Sequence, residues 1–277
     1  MHVVRTVQEL RAVQAELRNH KRTSCLVPTM GALHTGHLSL VTYAREHADE
    51  AIATLFVNPT QFGPNEDLDR YPRQEAKDLA TFEDNGVHAV FVPTVQEIYG
   101  PGDATTVSMA GPALGLEADH RPHFFSGVAT VVSRLLLAAL SDMAVFGEKD
   151  YQQLQVIRRM VADLNIPTII HGAPTVREPD GLALSSRNAY LSADERAIAP
   201  MLHATLQRVR ERLQSGEDVD RALTEGLERL TSAGFKPDYL SARDGETLGP
   251  LKQVARGRLL AAAWLGTTRL IDNVALA

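Results

Sequence analysis

The feature of this sequence that most constrains its fold is a regular alternation of short apolar runs with longer amphipathic segments. The apolar runs are Cys25–Pro28, Ala51–Val57, Val87–Pro93, Met143–Phe146 and Thr168–His171. Continuous apolar runs of this length are typical of strands that are buried on both faces of a parallel sheet.

Between these runs, apolar residues recur at helical spacing, as they do at Leu40, Val41, Ala44 and Ala48. The predicted helices are Leu38–Ala48, Arg73–Asn85, Val128–Leu140 and Tyr151–Asn165. Because strand and helix alternate, the sequence predicts an α/β fold with a Rossmann-like, doubly wound parallel sheet.

After about Val176 the pattern changes. Two long amphipathic helices, Ala193–Gln214 and Val219–Ala233, are followed by the apolar runs Tyr239–Ala242, Arg258–Trp264 and Arg269–Val274. This order predicts a smaller C-terminal α+β domain. The segment Arg177–Gly181 contains a proline and a glycine that interrupt regular structure, so we expect a hinge between domains at 1–176 and 177–277.

Composition and charge exclude several classes of partner. The chain has a formal net charge of -6 and its lysines and arginines are scattered, which argues against a nucleic-acid partner. Its single cysteine, Cys25, lies in an apolar run, so we expect a buried, unreactive thiol and a cytoplasmic protein. No apolar stretch resembles a signal peptide or is long enough to span a bilayer, so we expect no membrane partner.

The sharpest site signal is the histidine pair His34 and His37, which flank Thr35 and Gly36 directly after the first predicted strand. In open parallel sheets ligands bind outside the carboxyl ends of the strands, where helices begin. Two imidazole groups beside the positive end of a helix suit a phosphate group, and Gly36 lets the backbone approach it. The alternative is that these are two unrelated surface histidines.

A second polar cluster, Ser185, Ser186 and Arg187, offers two hydroxyls and a forked guanidinium to phosphate oxygens. Together with the histidine pair it predicts a mobile loop that closes over a triphosphate. The alternative is a polar turn that caps the helix near Ser192.

Charged and amide side chains follow other predicted strands. Lys149 supplies a point charge for phosphate, and Asp150 suits ribose hydroxyls or magnesium, although Asp150 as a simple helix cap remains an alternative. Gln61 and Gln153 are neutral amides that can bind a carboxylate, a hydroxyl or an amine, although exposed glutamines are also common. The sequence contains no zinc-ligand spacing, no GxxxxGK[ST] motif and no GxGxxG motif after the first strand.

Several longer segments resemble the pantothenate synthetase family, and the resemblance runs nearly end to end. They are Pro28–His37, Phe56–Phe62, Tyr71–Arg73, Phe146–Gln153, Val176–Asn188 and Arg269–Asn273. The resemblance implies that magnesium-ATP adenylates the carboxylate of pantoate and that β-alanine then displaces AMP to give pantothenate. It also implies a cytoplasmic homodimer.

The resemblance also implies roles for individual residues. The implied ATP-binding residues are Met30, Gly31, Ala32, Leu33, His34, Thr35, Gly36, His37, Gly147, Glu148, Lys149, Asp150, Val176, Leu184, Ser185, Ser186 and Arg187. His37 is the implied proton donor, and we expect His34 and Lys149 to stabilise phosphate charge with it. Gln61 and Gln153 would bind pantoate, and Gln61 would also contact β-alanine. We expect magnesium mainly on the phosphates of ATP.

One position departs from the family pattern Arg-Pro-x-His-Phe-x-Gly, because Phe124 occupies the place of its histidine. We therefore assign no role from the family to this position.

Three rival interpretations remain: a nucleotidyltransferase that shares the histidine motif, a nucleotide-binding protein without activity, and a fragment of an aminoacyl-tRNA synthetase. A nucleotidyltransferase would differ from the family's activity in the acceptor of AMP. A nucleotide-binding protein without activity would bind ATP without releasing pyrophosphate.

Overall fold

The computed structural model describes residues 1–63 and 68–277. The chain forms two compact units, each assembled from separated stretches of sequence. Unit 1 comprises Met1–Met109, Arg121–Glu148 and Val156–Pro174, and unit 2 comprises Ala110–His120, Lys149–Gln155 and Thr175–Ala277. The last passage of the chain from unit 1 to unit 2, at Pro174, is close to the expected domain boundary after residue 176.

Unit 1 is built around a parallel sheet. Its strands in the described part of the chain are β1 (His2–Val4), β2 (Ser24–Thr29), β3 (Glu50–Leu55), β4 (Ala89–Phe91), β5 (Met143–Gly147) and β6 (Ile169–Ala173). They lie in the order β1-β4-β3-β2-β5-β6, and each neighbouring pair is parallel. The Rossmann-like α/β prediction is confirmed.

The α-helices of the described chain alternate with the strands of unit 1 and then continue into unit 2. They are α1 (Val7–Asn19), α2 (Thr35–His47), α3 (Glu75–Asp84), α4 (Val95–Ile98), α5 (Glu117–His120), α6 (Phe124–Ala139), α7 (Tyr151–Asp163), α8 (Ala193–Ile198), α9 (Met201–Gln214) and α10 (Val219–Ser232). None of them combines the length and apolarity needed to cross a membrane.

The order of strands changes direction at β2. From β2 the chain continues to β3 and β4 on one side of the sheet, and later to β5 and β6 on the other side. A crevice forms at such a switch point because the connections from adjacent strands leave in opposite directions. The carboxyl ends of β2 and β5 therefore border the favoured ligand position of unit 1.

The core of unit 1 is apolar where the sequence predicts it. Leu40, Val41 and Ala44 of α2 pack with Val27 of β2 and Ala53 of β3. Helices beside these strands make the sheet apolar on both sides, which explains the continuous apolar runs.

Unit 2 has a separate antiparallel sheet, β7 (Lys236–Asp244), β8 (Gly257–Leu265) and β9 (Thr268–Ala275), in the order β7-β8-β9. Its core includes Leu206 and Val209 of α9, Leu230 of α10 and Leu259 of β8, all nearly inaccessible to solvent. This arrangement confirms the smaller C-terminal α+β fold.

The prediction of one continuous helix at Ala193–Gln214 is wrong. The segment is divided into α8 and α9 at Ala199 and Pro200. Pro200 has no backbone N–H, so it cannot donate the hydrogen bond that would continue α8. Ala199 and Pro200 retain right-handed helical backbone angles, so the apolar periodicity continues through the break and conceals it in the sequence.

Candidate active site

The two histidines of the sequence motif cap the helix that follows β2. His34 is the N-cap of α2, with extended backbone angles, and its Nδ1 accepts a hydrogen bond from the Gly36 N–H at 3.1 Å. The Nδ1 of His37 accepts from the His34 N–H at 3.3 Å. These reciprocal bonds form a capping box in which histidine rings take the places usually filled by serine and glutamate. The structure therefore brings His34 and His37 together, with ring centroids 4.1 Å apart.

This cap fixes the hydrogen positions on both rings. A backbone N–H can only donate, so each Nδ1 must be the unprotonated acceptor, and the ring hydrogen of the neutral form lies on Nε2. The site thus holds two Nε2–H donors beside the N-terminus of α2. Both the donors and the positive end of the helix dipole favour an anionic ligand.

The loop between β2 and His34 has an unusual backbone. Gly31 and Ala32 both have positive φ angles, 85° and 53°. A Cβ atom at Gly31 would lie 2.8 Å from Leu55 Cδ1 and 2.9 Å from Asp78 Oδ2, so no side chain fits there. Of the predicted ATP-binding residues in this segment, Gly31 is buried and the others are at least partly accessible.

Gln61 lies in a short 3-10 helix, Pro59–Gln61, that follows β3. Its Oε1 accepts from Asn58 Nδ2 at 3.1 Å, and its Nε2 lies 3.1 Å from Met30 Sδ. The structure therefore brings a predicted pantoate-binding residue into contact with a predicted ATP-binding residue within unit 1. Two bonds to the same side chain hold the amide of Gln61 in one orientation.

Asn58 is the centre of the network that orients Gln61, and it is almost fully buried. Its Oδ1 accepts from the Tyr99 hydroxyl at 2.7 Å, and its Nδ2 also donates to the Gly127 carbonyl at 3.3 Å. Burial raises the pKa of Tyr99, more than its hydrogen bonds to Thr60 and Asn58 lower it. The phenol therefore stays protonated and remains a donor to Asn58.

Gly127 of α6 allows this network to form. A Cβ atom at this position would lie 2.4 Å from the Thr60 carbonyl oxygen and 2.8 Å from the Gln61 nitrogen. Only glycine lets the helix approach the backbone of Pro59–Gln61 so closely.

Phe124, which departs from the family pattern, contacts a neighbour of the same network. The guanidinium carbon of Arg121 lies 3.8 Å from the centroid of the Phe124 ring, the geometry of a cation–π interaction. Arg121 Nη2 also donates to the Gln61 carbonyl at 3.2 Å. Phe124 therefore supports an arginine that holds the backbone of Gln61.

In unit 2, the backbone of Lys149 is held by β9. Asn273 donates from Nδ2 to the Lys149 carbonyl at 2.9 Å, and Arg258 Nε donates to Asn273 Oδ1 at 2.7 Å. Lys149 and Asp150 lie in a 3-10 turn, Glu148–Asp150, that leads into α7, and the half-buried Gln153 lies in the first turn of that helix.

A hairpin in unit 2 brings Val176 beside Leu184. Leu184 N–H donates to the Val176 carbonyl at 3.0 Å, and Arg177 pairs with Ala183 as an antiparallel bridge. Ser185, Ser186 and Arg187 follow this hairpin directly. Ser185 caps the next 3-10 helix through the Arg187 N–H at 3.2 Å. The cap of α8 is Ser192 with Glu195, so the cluster does not cap that helix.

Arg177 ties this hairpin to β9. Its two terminal nitrogens donate to both carboxylate oxygens of the buried Asp272, at 2.7 and 2.8 Å. Burial favours the neutral form of Asp272, but the nearby His203 and the bidentate Arg177 outweigh it, so the pKa of Asp272 lies below its ordinary value. Asp272 and Asn273 are adjacent, so one short stretch of β9 fixes both Arg177 and Lys149.

The structure groups the predicted residues within each unit. The predicted residues of unit 1 lie after β2, after β3 and at the end of β5, and they are Met30 to His37, Gln61, Gly147 and Glu148. Those of unit 2 are Lys149, Asp150, Gln153, Val176 and Leu184 to Arg187. Within residues 1–63 and 68–277, no group of three or more His, Cys, Asp or Glu side chains is placed to hold a metal ion.

Four buried polar residues that hold predicted site residues or their neighbours were not predicted from the sequence: Asn58, Asp78, Asp272 and Asn273. Three of them had a signal in the sequence. Asp78 lies one helical turn before the fully buried Phe82, and Asp272 and Asn273 interrupt an apolar run. A buried polar side chain needs a partner, so such positions predict a fixed hydrogen bond, although not with which residue.

A parallel sheet with a histidine-capped helix at its switch point defines this protein as a Rossmann-like α/β protein with a site suited to an anionic ligand. Residues 2–275 match the family model described as pantoate-beta-alanine ligase. The chain belongs to that family.

Individual relatives agree over nearly the full length. The chain is 50% identical to a pantothenate synthetase of Rhodopseudomonas palustris over 277 residues, covering 99% of this chain and 98% of the relative. It is 53% identical to one of Rhodospirillum rubrum over 275 residues, covering 98% of each.

Solved structures agree as well. The crystal structure of pantothenate synthetase from Thermus thermophilus superposes with a TM-score of 0.92 at 48% identity, covering 100% of this chain and 99% of that chain. Pantoate-beta-alanine ligase from Francisella tularensis, in complex with beta-gamma ATP and beta-alanine, has a TM-score of 0.84 at 34% identity, covering 100% of this chain and 98% of that chain.

Proposed function

We propose that this protein condenses pantoate with β-alanine at the expense of ATP, giving pantothenate, AMP and pyrophosphate. The observation that carries the proposal is the histidine-capped N-terminus of α2 at the switch point, in a chain that belongs to the pantoate-β-alanine ligase family. The reaction forms an amide bond, so the protein is a ligase.

The chemistry requires activation of the carboxylate, because a carboxylate does not acylate an amine at neutral pH. In the first step a carboxylate oxygen of pantoate attacks the α-phosphorus of ATP, and the bond to the bridging oxygen of pyrophosphate breaks. In the second step the neutral amine of β-alanine attacks the acyl carbon of the pantoyl adenylate. The acyl C–O bond breaks, AMP leaves, and the nitrogen loses a proton.

The residues around α2 suit the first step. Negative charge moves onto the phosphate oxygens as pyrophosphate leaves, and the two Nε2–H groups of His34 and His37 can donate to those oxygens. The dipole of α2 acts in the same direction. His37 is the proposed proton donor, and the Lys149 ammonium would add a positive charge on the phosphates.

We assign the remaining roles as the resemblance implies them. ATP would be bound by Met30 to His37, Gly147 to Asp150, Val176 and Leu184 to Arg187. Pantoate would be bound by Gln61 and Gln153. The fixed orientation of the Gln61 amide, with Asn58 on one side and Met30 on the other, supports a role in recognising a polar substrate. Gln61 would also contact β-alanine.

Magnesium would enter with ATP and be held mainly by phosphate oxygens. Mg²⁺ usually keeps several waters and binds one or two carboxylates together with substrate phosphates, so it does not require a cluster of protein ligands. Asp150 is the proposed carboxylate.

We also propose a cytoplasmic homodimer with one domain at 1–176 and a second at 177–277.

The experiment that tests this proposal traces an isotope label from the carboxylate of pantoate into the products. With magnesium-ATP and pantoate carrying ¹⁸O in its carboxylate, we expect pyrophosphate release, and after addition of β-alanine one ¹⁸O atom in AMP. His37→Ala should lower the rate by about 100-fold or more, as removal of a transition-state donor does. His47→Ala, at the exposed far end of the same helix, is the matched control and should change it less than about twofold.

Two outcomes would reject the proposal. AMP transfer to a phosphorylated acceptor in place of pantoate would identify a nucleotidyltransferase. ATP binding without pyrophosphate release, with any combination of pantoate and β-alanine, would identify a nucleotide-binding protein without this activity.

A further inference from the structure

Asp78 of α3 is a buried acid with an unusual set of partners. Only 3% of its surface is accessible, yet the described structure gives it no cationic partner. Its Oδ2 accepts from the Ala32 N–H at 3.0 Å and its Oδ1 from the Leu33 N–H at 3.1 Å. Both donors belong to the loop between β2 and α2, and all of these residues are in unit 1.

We propose that Asp78 is a positioning residue: its carboxylate fixes the loop backbone directly before His34 and so sets the histidine pair for catalysis. The role lies in geometry, since Asp78 would act through the loop without touching substrate. This inference rests on the proposed function of the histidine pair.

The backbone of the loop explains why a carboxylate is needed there. Ala32 is a non-glycine residue with a φ of 53°, following Gly31 at 85°. Left-handed backbone at a residue with a Cβ atom is strained and needs compensation from its surroundings. In this conformation the N–H groups of Ala32 and Leu33 point to one side, forming a small anion-binding concavity. Asp78 occupies that concavity with one oxygen for each donor.

The position leaves little freedom for the loop to move. Gly31 packs so closely that a Cβ atom would meet both Leu55 Cδ1 and Asp78 Oδ2. The loop is therefore confined between the end of β3 and α3. Rotation at Leu33 would also move the His34 N–H, which donates to His37 Nδ1. The orientation of His37 depends in this way on Asp78.

The Asp78 carboxylate also excludes a phosphate from these two N–H groups. A ligand phosphate would compete with a buried negative charge for the same donors. The phosphate-binding face of the turn is thus directed to the N-terminus of α2 and the histidine Nε2–H groups.

The decisive variant is Asp78→Asn. An amide of the same shape offers one acceptor oxygen, and its NH₂ group faces an N–H donor, so one of the two loop bonds is replaced by a repulsive contact. We expect the pantoate-dependent pyrophosphate release, as kcat/KM for ATP, to fall by about 30-fold, because a displacement of about 1 Å costs up to 100-fold. Asp84→Asn, at the exposed end of the same helix, is the matched control and should stay within about twofold.

A double-mutant cycle separates positioning from general destabilisation. If Asp78 acts through His37, the loss caused by Asp78→Asn should shrink to less than about threefold when His37 is already alanine. Equal losses in both backgrounds would overturn the proposal, because Asp78 would then act independently of His37. An Asp78→Asn rate equal to that of Asp84→Asn would also overturn it.

A second variant and a second measurement test the inference if Asp78→Asn does not fold or if the natural protein shows no activity. If Asp78→Asn does not fold, Asp78→Ser, which removes the charge but leaves room for water, is carried through the same cycle. Amide exchange at Ala32 and Leu33 should accelerate at least tenfold over the neighbouring strand amides in either variant, and unchanged exchange would contradict the inference. If the natural protein releases no pyrophosphate, the proposed function fails, while amide exchange still tests the role of Asp78 in the loop.

Discussion

At the scale of single residues, the site depends on side chains that hold other side chains. The sequence predicted His34 and His37 at a strand-to-helix turn, because the motif follows an apolar run. It did not predict that each Nδ1 is occupied by a backbone N–H, because the ring orientations depend on a loop held by Asp78, far away in the sequence. The local sequence pattern therefore predicted which side chains would be at the site, but it did not predict how their rings would be oriented.

Asp272 gives a pH-dependent prediction. At pH 7, Asp272→Asn should lower the free energy of unfolding by about 3 kcal/mol, because it leaves the bound Arg177 guanidinium with an uncharged partner in a largely buried place. The folded-state pKa of Asp272 is lowered, so its stabilising contribution is present above the unfolded pKa of about 3.9 and is lost as pH falls through the folded value.

Urea unfolding of the natural protein and the variant at several pH values checks this prediction. The stability difference between the two proteins should shrink as the pH falls below about 4. Asp84→Asn, which removes an exposed carboxylate, should stay within about 0.5 kcal/mol of the natural protein throughout. A difference that grows as the pH falls below about 4 would show that the sign of the pKa shift of Asp272 is wrong.

At the scale of secondary-structure elements, long periodic segments were predictable and short or interrupted ones were not. The five apolar runs of the first two-thirds all overlap with observed strands. Strand β1 was missed because His2–Val4 is only three residues long and mostly exposed. The break at Pro200 was missed because the apolar period of α8 continues into α9.

A substitution at Gly127 tests a contact between two elements, because this residue decides how closely α6 approaches the 3-10 helix that contains Gln61. Gly127→Ala improves helix propensity by about 1 kcal/mol, yet its Cβ atom would collide with the backbone of Thr60. We expect KM for pantoate to rise at least tenfold, because Gln61 is displaced, with a loss of stability of about 1–3 kcal/mol from overpacking.

Steady-state kinetics with pantoate as the varied substrate make the measurement. Gly100→Ala is the control, because the nearest atom to its added Cβ would be at an ordinary 3.7 Å. A Gly127→Ala enzyme with unchanged KM would show that the position of Gln61 does not depend on this contact.

At the scale of the whole molecule, the sequence predicted two architectures but not how the chain is shared between them. Unit 2 includes Ala110–His120 and Lys149–Gln155, which precede the main C-terminal segment. Gln152 donates to the Pro112 and Gly115 carbonyls, and Arg269 pairs with Glu117. Tertiary packing determines which of these separated stretches contact each other, and hydrophobic periodicity, which is a local pattern, does not predict it.

Cys25 reports on global opening of unit 1. It is 1% exposed in the central strand β2, which confirms the predicted burial of the thiol, and burial raises the pKa of Cys25 to about 12. At pH 8 we expect a disulfide reagent to label it only through unfolding, because the thiolate is the reactive form. Saturating ATP and pantoate should slow labelling further, because ligands that bind the folded state stabilise it.

The labelling rate in native buffer, compared with that in guanidinium chloride, provides the measurement. A Ser215→Cys variant, which adds a thiol at an exposed position, should label one equivalent at once while Cys25 stays protected. Rapid labelling of Cys25 in the native protein would contradict the burial of β2.

The position of β2 in the middle of the sheet also has a consequence for synthesis on the ribosome. β2 can pair with β3 soon after both emerge, but its other edge is covered by β5, which begins only at Met143. At typical elongation rates the nascent chain therefore carries an unpaired apolar edge for on the order of ten seconds. A strand that is central and buried in the finished sheet thus passes through a stage of synthesis in which a chaperone would protect its open edge.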